Sequence, residues 1–296
     1  RSLWPRPHVN LCDRDVRQLQ NNNRHPFGVE VFGMKRGTVF TLIGGLLCVA
    51  ALAGALKWRG NPDVLWQLVS RQCVPDQNQH QNPSPCLKVD PDKGFVLLKD
   101  LNGPYQDLLI PTDKVTGIED IALTRDLLPH YFAQAWKNHA VLSSGLPAPI
   151  ADRYVSLAIN SRYGRSQNQL HIHIACLRPD VFNTLNERAA TLDEHWQTLP
   201  VKLQGHTYSA RTLSAADFDL RDPLAILNEY VQAQGDAMAS YSLLLAPEAD
   251  GNFVLLTTRL TLKEWNLASA EELQDHQCNL MGKPPQRPVL AVNDIR

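Results

Sequence analysis

Apolar and polar positions along the chain alternate in two rhythms. Leu170–Leu177 (LHIHIACL) alternates with period two, so Leu170, Ile172, Ile174 and Cys176 share one face and Gln169, His171 and His173 the other. Short apolar runs of the same kind predict strands at Phe95–Leu98, Leu108–Ile110, Val155–Ile159, 205–213, Tyr241–Leu245 and Asn252–Leu260. Asn102-Gly103-Pro104 and Pro111 supply stops, and the polar run Asn160–Asn168 is a loop. Helical spacing predicts helices at Asp63–Gln72, Leu127–Leu142, Val181–Leu199, Pro223–Ala239 and Ala268–Leu280, the last with Ser269 and Glu272 as a capping box. Strands and helices mixed in this order predict an α+β fold with an antiparallel sheet.

One segment follows neither rhythm. Thr38–Leu56 is nineteen residues without a charge. As a helix it spans about 28 Å, close to a hydrocarbon core of about 30 Å. Up to Arg36 there are seven basic residues against three acidic ones, a net of +4. Beyond residue 56 there are 22 basic and 27 acidic, a net of -5. Lys35 and Arg36 before the run put the N-terminus in the cytoplasm by the positive-inside rule. The expectation is a polar tail or upstream extension over 1–33, a signal-anchor transmembrane helix over 34–60 and a periplasmic domain over 61–296. That places the protein as a single-pass protein of a bacterial inner membrane. An uncleaved anchor is favoured over cleavage near Ala53-Gly54-Ala55, because the apolar run is long for a signal peptide. The near-zero overall charge excludes a nucleic-acid partner. No oligomeric state follows from the sequence.

The expected exported domain holds Cys73, Cys86, Cys176 and Cys278. An even number in an oxidising compartment predicts two bridges, for which three connectivities exist. Cys73 with Cys86 would close a local polar, Pro-rich loop. Cys176 with Cys278 would tie the C-terminal segment to a central strand. No Cys-x-x-Cys pair is present to suggest zinc.

The candidate chemistry lies on the polar face of 169–173. Two neighbouring imidazoles suit nucleophilic attack on phosphorus, metal ligation or structural hydrogen bonding. Leu177, Arg178 and Pro179 follow instead of a ligating carboxylate, and Gln169 is a poor zinc ligand, so no metal is expected.

The run Asn160-Ser161-Arg162-Tyr163-Gly164-Arg165-Ser166-Gln167-Asn168-Gln169-Leu170-His171-Ile172-His173 resembles the signature of the histidine-triad superfamily. Leu98-Lys99-Asp100-Leu101 and Leu108-Leu109-Ile110-Pro111 resemble its upstream strands. The phrases LKDLNGP, SLAINSR, RPDV, QNPSPC and ASAEELQDHQC are similar to those of bacterial CDP-diacylglycerol pyrophosphatases, from about Met34 to Leu280. That resemblance implies a histidine-triad-like antiparallel sheet with flanking helices. It implies hydrolysis of CDP-diacylglycerol to CMP and phosphatidate, with the bilayer holding the lipid and no cofactor. His171 would be the nucleophile and His173 a donor to phosphate. Ser166 would bind phosphate or leaving group, Asn160 would hold the loop, and Asp100 would take the ribose hydroxyls. Gln169 stands where the superfamily has its first histidine, and Lys114 where many members have another. Lys99, Lys114, Arg162 and Arg165 are candidate phosphate or phosphatidate ligands; His206 and His276 are further candidates to approach the cleft. A broader nucleotide pyrophosphatase, a nucleotidyltransferase and a non-catalytic nucleotide- or lipid-binding protein remain the alternatives.

Overall fold

A computed structural model describes residues 60–124 and 128–282, all within the second of two units of the chain, Lys57–Arg296. Ten strands form one sheet: β1 (Lys88–Asp90), β2 (Phe95–Lys99), β3 (Gln106–Pro111), β4 (Val155–Ile159), β5 (Ile172–Leu177), β6 (Gln197–Thr198), β7 (Ser209–Leu213), β8 (Tyr241–Pro247), β9 (Phe253–Arg259) and β10 (Gln274–Asp275). Their order is β1-β2-β3-β5-β4-β8-β9-β7-β6, and all pairs are antiparallel. β5 is central, with His173 opposite Leu108 of β3 and Ala158 of β4. Where β3 ends, β10 takes over as partner of β5, through Leu177 and Cys176.

The period-two pattern decides what each face of the sheet packs against. Ile172, Ile174 and Cys176 lie on the face that forms the main core with Leu109, Leu157, Leu243 and Leu255. Helices α4 (Tyr131–Lys137) and α7 (Pro223–Ala233) cover it through Tyr131, Phe132, Leu227 and Val231. The N-cap Asp222 accepts a hydrogen bond from the Leu224 N–H, and Pro223 occupies the first turn, which starts α7 at that point.

The opposite face carries two separate apolar clusters. At one end α1 (Val64–Leu68), a π turn (Val69–Cys73) and α2 (Val74–His80) lie on β1–β3 through Leu68, Val69, Leu98, Leu108 and Ile110. At the other end α5 (Pro179–Arg188) packs through Val181 and Leu185 with Tyr208, Leu244 and Leu256. Between them the face is polar, and there the two histidines sit. The short helices α3 (Ile121–Thr124) and α6 (Ala215–Leu220) complete the fold.

Cys73 is bonded to Cys86 and Cys176 to Cys278, with Cα separations of 5.6 and 5.1 Å. The second bridge closes 102 residues and staples the C-terminal segment to β5. Replacing Cys176 and Cys278 together by alanine is expected to lower the unfolding free energy by about 2–5 kcal/mol, chiefly by freeing the unfolded chain. Urea denaturation checks this, and an unchanged midpoint would count against it.

Several expectations are corrected. Among the described residues no helix is long and apolar enough to cross a membrane. The transmembrane helix expected over 34–60, and the single-pass inner-membrane placement drawn from it, thus have no counterpart among the described residues and are set aside. The apolar run 38–56, the 1–33 tail and the chain after Gly282 lie outside the described residues. The helix expected at Ala268–Leu280 is instead a 3-10 turn (Ala270–Leu273), the strand β10 and a second 3-10 turn (Asn279–Met281). Pairing with β5 and the Cys278 bridge override its helical spacing. Ser269 makes no cap: its hydroxyl donates to Asn160 Oδ1, while Glu272 bonds His206 and Tyr208. The helix begun at Val64 runs on to His80, through residues expected to form a loop, and the helix expected to reach Leu199 ends at Arg188.

Candidate active site

A cleft of about 430 Å³ opens on the polar strip of the sheet. Its floor is His171 and His173, and its polar wall includes Asp100, Asn160, Ser166 and Glu271. Its other wall is apolar and comes from α1 and the adjoining strands: Val64, Leu65, Leu68, Leu98 and Leu108.

The two imidazoles are buried, with ring centroids 4.9 Å apart and nearly perpendicular. His171 Nδ1 lies 2.7 Å from the carbonyl oxygen of Gln169. A carbonyl only accepts, so Nδ1 carries the proton and Nε2 of the neutral ring keeps its lone pair. Burial is the largest influence and pushes the His171 pKa below its usual 6.5; the hydrogen bond to Gln169 opposes it only in part. The ring is therefore neutral at neutral pH.

His173 has the complementary tautomer. Its Nδ1 lies 2.7 Å from Gln106 Nε2. The same amide nitrogen faces Asp100 Oδ2 at 3.2 Å and Glu271 Oε1 at 3.0 Å. The two carboxylates set the NH2 end of Gln106 there, and its two hydrogens are shared among three acceptors; since an NH2 only donates, Nδ1 of His173 bears no hydrogen and Nε2 does. That Nε2 stands 3.4 Å from Glu271 Oε2 and has no hydrogen-bond partner among the described residues. Burial, and then the neighbouring His171, hold the His173 pKa well below 6.5. One ring thus offers a lone pair and the other an N–H.

The polar wall is held from behind. Asp100 Oδ1 accepts from the backbone N–H and the side-chain amide of Asn102, at 2.8 and 3.0 Å. Asn160 Nδ2 donates to Glu271 Oε2 at 3.0 Å, and its Oδ1 accepts from the Glu271 N–H and the Ser269 hydroxyl. Gly164 allows the 160–168 loop to close on residues 267–269: an added Cβ would meet the Ala268 oxygen at 3.0 Å and Ser269 Cβ at 3.1 Å. Ser166 is exposed at the cleft wall. Arg165 also lines the cleft, but its guanidinium forms a two-pronged ion pair with Glu119 at 2.6 and 2.7 Å.

Other expected site residues serve different ends. Lys99 reaches the wall, yet its ammonium donates to the carbonyls of Asp100, Gly103 and Gln106 at 2.8–2.9 Å and clamps that turn. Lys114 bonds Asp63 Oδ1 and the Asn168 carbonyl and lies outside the cleft lining. The Gln169 amide is fully buried and donates to the carbonyls of Pro111 and Asp113, so this residue acts on the site through its own carbonyl. Arg162 is exposed and does not line the cleft. His206 bonds Glu272, whereas His276 Nε2 comes within 3.7 Å of Glu271 Oε1. The described grouping of three ligand-type side chains, Asp193, Glu194 and His195, is exposed and lies outside the cleft lining.

Gln106 and Glu271 were missed from the sequence. Glu271 lay within an expected helix, and only the β10–β5 pairing shows that it meets His173. Gln106 had a visible signal, since it shares a strand face with Leu108 and Ile110 and is the polar member of that set.

A family model for CDP-diacylglycerol pyrophosphatase matches residues 60–282. The match spans the cleft from Val64 to Glu271, and the chain belongs to the CDP-diacylglycerol pyrophosphatase family, hydrolases that split the pyrophosphate of a lipid nucleotide.

Proposed function

We propose that hydrolysis runs by double displacement through a nucleotidyl-histidine. The observation that carries this reading is the His171 tautomer, with Nδ1–H bound to the Gln169 carbonyl and Nε2 left as a lone pair in the cleft. In the first step Nε2 attacks the phosphorus of the CMP half. The N–P bond forms, the P–O bond to the bridging oxygen breaks, and phosphatidate leaves with the electron pair. The imidazole becomes cationic and keeps its Nδ1 proton on the Gln169 carbonyl. In the second step water attacks the same phosphorus, the N–P bond breaks, and CMP leaves. The water's proton passes to solvent by way of Glu271, and His171 returns neutral. Splitting the displacement replaces a poor nucleophile with imidazole.

His173 Nε2–H is the donor to the phosphate oxygens, where negative charge must be held as the P–O bond breaks. Asp100 has lone pairs left after Asn102 and Gln106 and serves the ribose hydroxyls. Ser166 meets the phosphate or leaving group, and Asn160 holds Glu271 in place. The apolar wall from α1 takes the glycerol ester end of the lipid.

Mixing enzyme with substrate, quenching in alkali and weighing the protein tests this, because a phosphoramidate survives alkali. A CMP adduct on the peptide that holds His171 is expected; an adduct on another residue would overturn the assignment. The pH profile gives an independent check. The neutral ring is the reactive form and its pKa is lowered, so kcat/KM should hold down to pH 6.5 and fall only below it. An acid limb with its midpoint above 6.5 would contradict the assignment. Stability follows the same sign. The unfolded chain protonates these histidines near 6.5 while the fold resists, so stability is full above that pH and declines as pH falls below it.

A further inference from the structure

Two loops meet beside the cleft. Residues 161–168 supply Gly164, Arg165, Ser166 and Gln167 to its wall. Residues 260–269 follow β9 and lock onto the first loop. The Ser161 N–H donates to the Ala268 carbonyl at 3.0 Å, and the Ser161 hydroxyl to the Leu267 carbonyl at 2.6 Å. This pair of loops presents Tyr163, Leu262, Trp265 and Leu267 to solvent. Trp265 is 89% exposed. A soluble surface rarely gathers such residues without a partner.

The projection of Trp265 is built in. Its φ of 52° lies in the left-handed region, which a bulky residue rarely adopts. The surrounding bonds impose it. Thr261 and Asn266 exchange two backbone hydrogen bonds at 2.9 and 3.0 Å. Asn266 is buried, donates to the Thr258 hydroxyl and accepts from the Ala268 N–H, both at 2.7 Å. The indole therefore stands out from a braced tip.

Charge narrows the partner. The two loops hold Arg162, Arg165, Lys263 and Glu264. Arg165 is paired with Glu119 and Glu264 with Lys202, which leaves Arg162 and Lys263 as an exposed positive excess. Aromatic and leucine side chains with flanking cations suit the interface of an anionic bilayer. Leu101, 81% exposed, adds an apolar contact at the cleft wall itself.

We propose that the 161–168 and 260–269 loops form a membrane-docking surface. Trp265, with Leu262, Leu267 and Tyr163, enters the interface of an anionic phospholipid bilayer, and Arg162 and Lys263 meet its phosphates. The patch is continuous with the cleft through Gly164, so the lipid nucleotide reaches the histidines head first while its acyl chains stay in the bilayer. The surface rests on the lipid nature of the substrate and is independent of which residue attacks.

The test uses the full chain and W265N, since asparagine accepts the left-handed conformation and the tip should keep its fold and melting temperature. Vesicles of phosphatidylcholine and phosphatidylglycerol carry acyl-brominated lipid as quencher. The fluorescence lost on substitution, wild type minus W265N, should be strongly quenched by these vesicles and less so when phosphatidylglycerol is left out. For substrate embedded in vesicles, W265N should lose about tenfold or more in kcat/KM, the scale expected for one indole removed from the interface. Turnover of a short-chain substrate below its micelle concentration should not change. Unquenched Trp265 fluorescence, full activity of W265N on vesicles, or equal loss on both substrates would each overturn the docking surface. Absence of turnover of either substrate by the wild type would instead count against the reaction itself.

Discussion

Replacing His171 by alanine is expected to cut CDP-diacylglycerol turnover by about 10⁴-fold or more, because the nucleophile and its covalent route are both lost. The fold should survive. His171 sits just before β5 at the open floor of the cleft, and its side chain gives up one hydrogen bond, to the Gln169 carbonyl. The main core lies on the other face and is untouched. Single-turnover kinetics beside a circular-dichroism melt would read both parts. A variant within about tenfold of wild type would remove His171 from the chemistry, since no nucleophile knock-out leaves so much.

Glu271→Gln is expected to have the second-largest effect, a fall of about 10²–10³-fold in kcat with KM changed far less. The carboxylate accepts from Asn160 Nδ2 and Gln106 Nε2 and faces His173 Nε2. A glutamine must turn an NH2 toward one of these donors, which separates groups that now touch. It also removes the acceptor assigned to the proton of the attacking water. A structural role alone would lower stability and leave the pH profile intact. If Glu271 takes the proton of the attacking water, the kcat profile of the variant changes shape on the alkaline side, and Glu271→Asp recovers part of the rate. Equal activity of E271Q and wild type would leave Glu271 as a mere wall of the cleft.

The strand pattern around His171 was legible because period two separates faces without help from distant residues. Ile172, Ile174 and Cys176 fall in the core, and His171 and His173 face the cleft. Asp100 and Asn160 were likewise within reach, since short motifs carry them. Glu271 was not legible. Its segment has helical spacing, but two residue pairs between β10 and β5 and a bridge spanning 102 residues cut the helix short and leave Glu271 in a 3-10 turn. The surroundings of Lys99 were hidden for a related reason: sequence does not show that its ammonium donates to three turn carbonyls. Gln169 stands in the place of the superfamily's first histidine, yet its position before the strand turns its side-chain amide to Pro111 and Asp113 and leaves the backbone carbonyl for His171. The membrane helix was read from an uncharged run and its flanking charges; that run lies outside the described residues, and no described helix has its character. The exposed Trp265 escaped because the apolar residues of 260–269 follow no single period.

The stereochemistry at the nucleotidyl phosphorus tests the covalent route most directly. A substrate with a chiral phosphorothioate in the CMP half, hydrolysed in isotopically labelled water, reports how many displacements occurred. Each in-line displacement inverts the phosphorus. Attack by His171 followed by attack by water predicts net retention in the CMP thio-analogue. Net inversion would mean that water attacks directly, and would contradict the nucleotidyl-histidine.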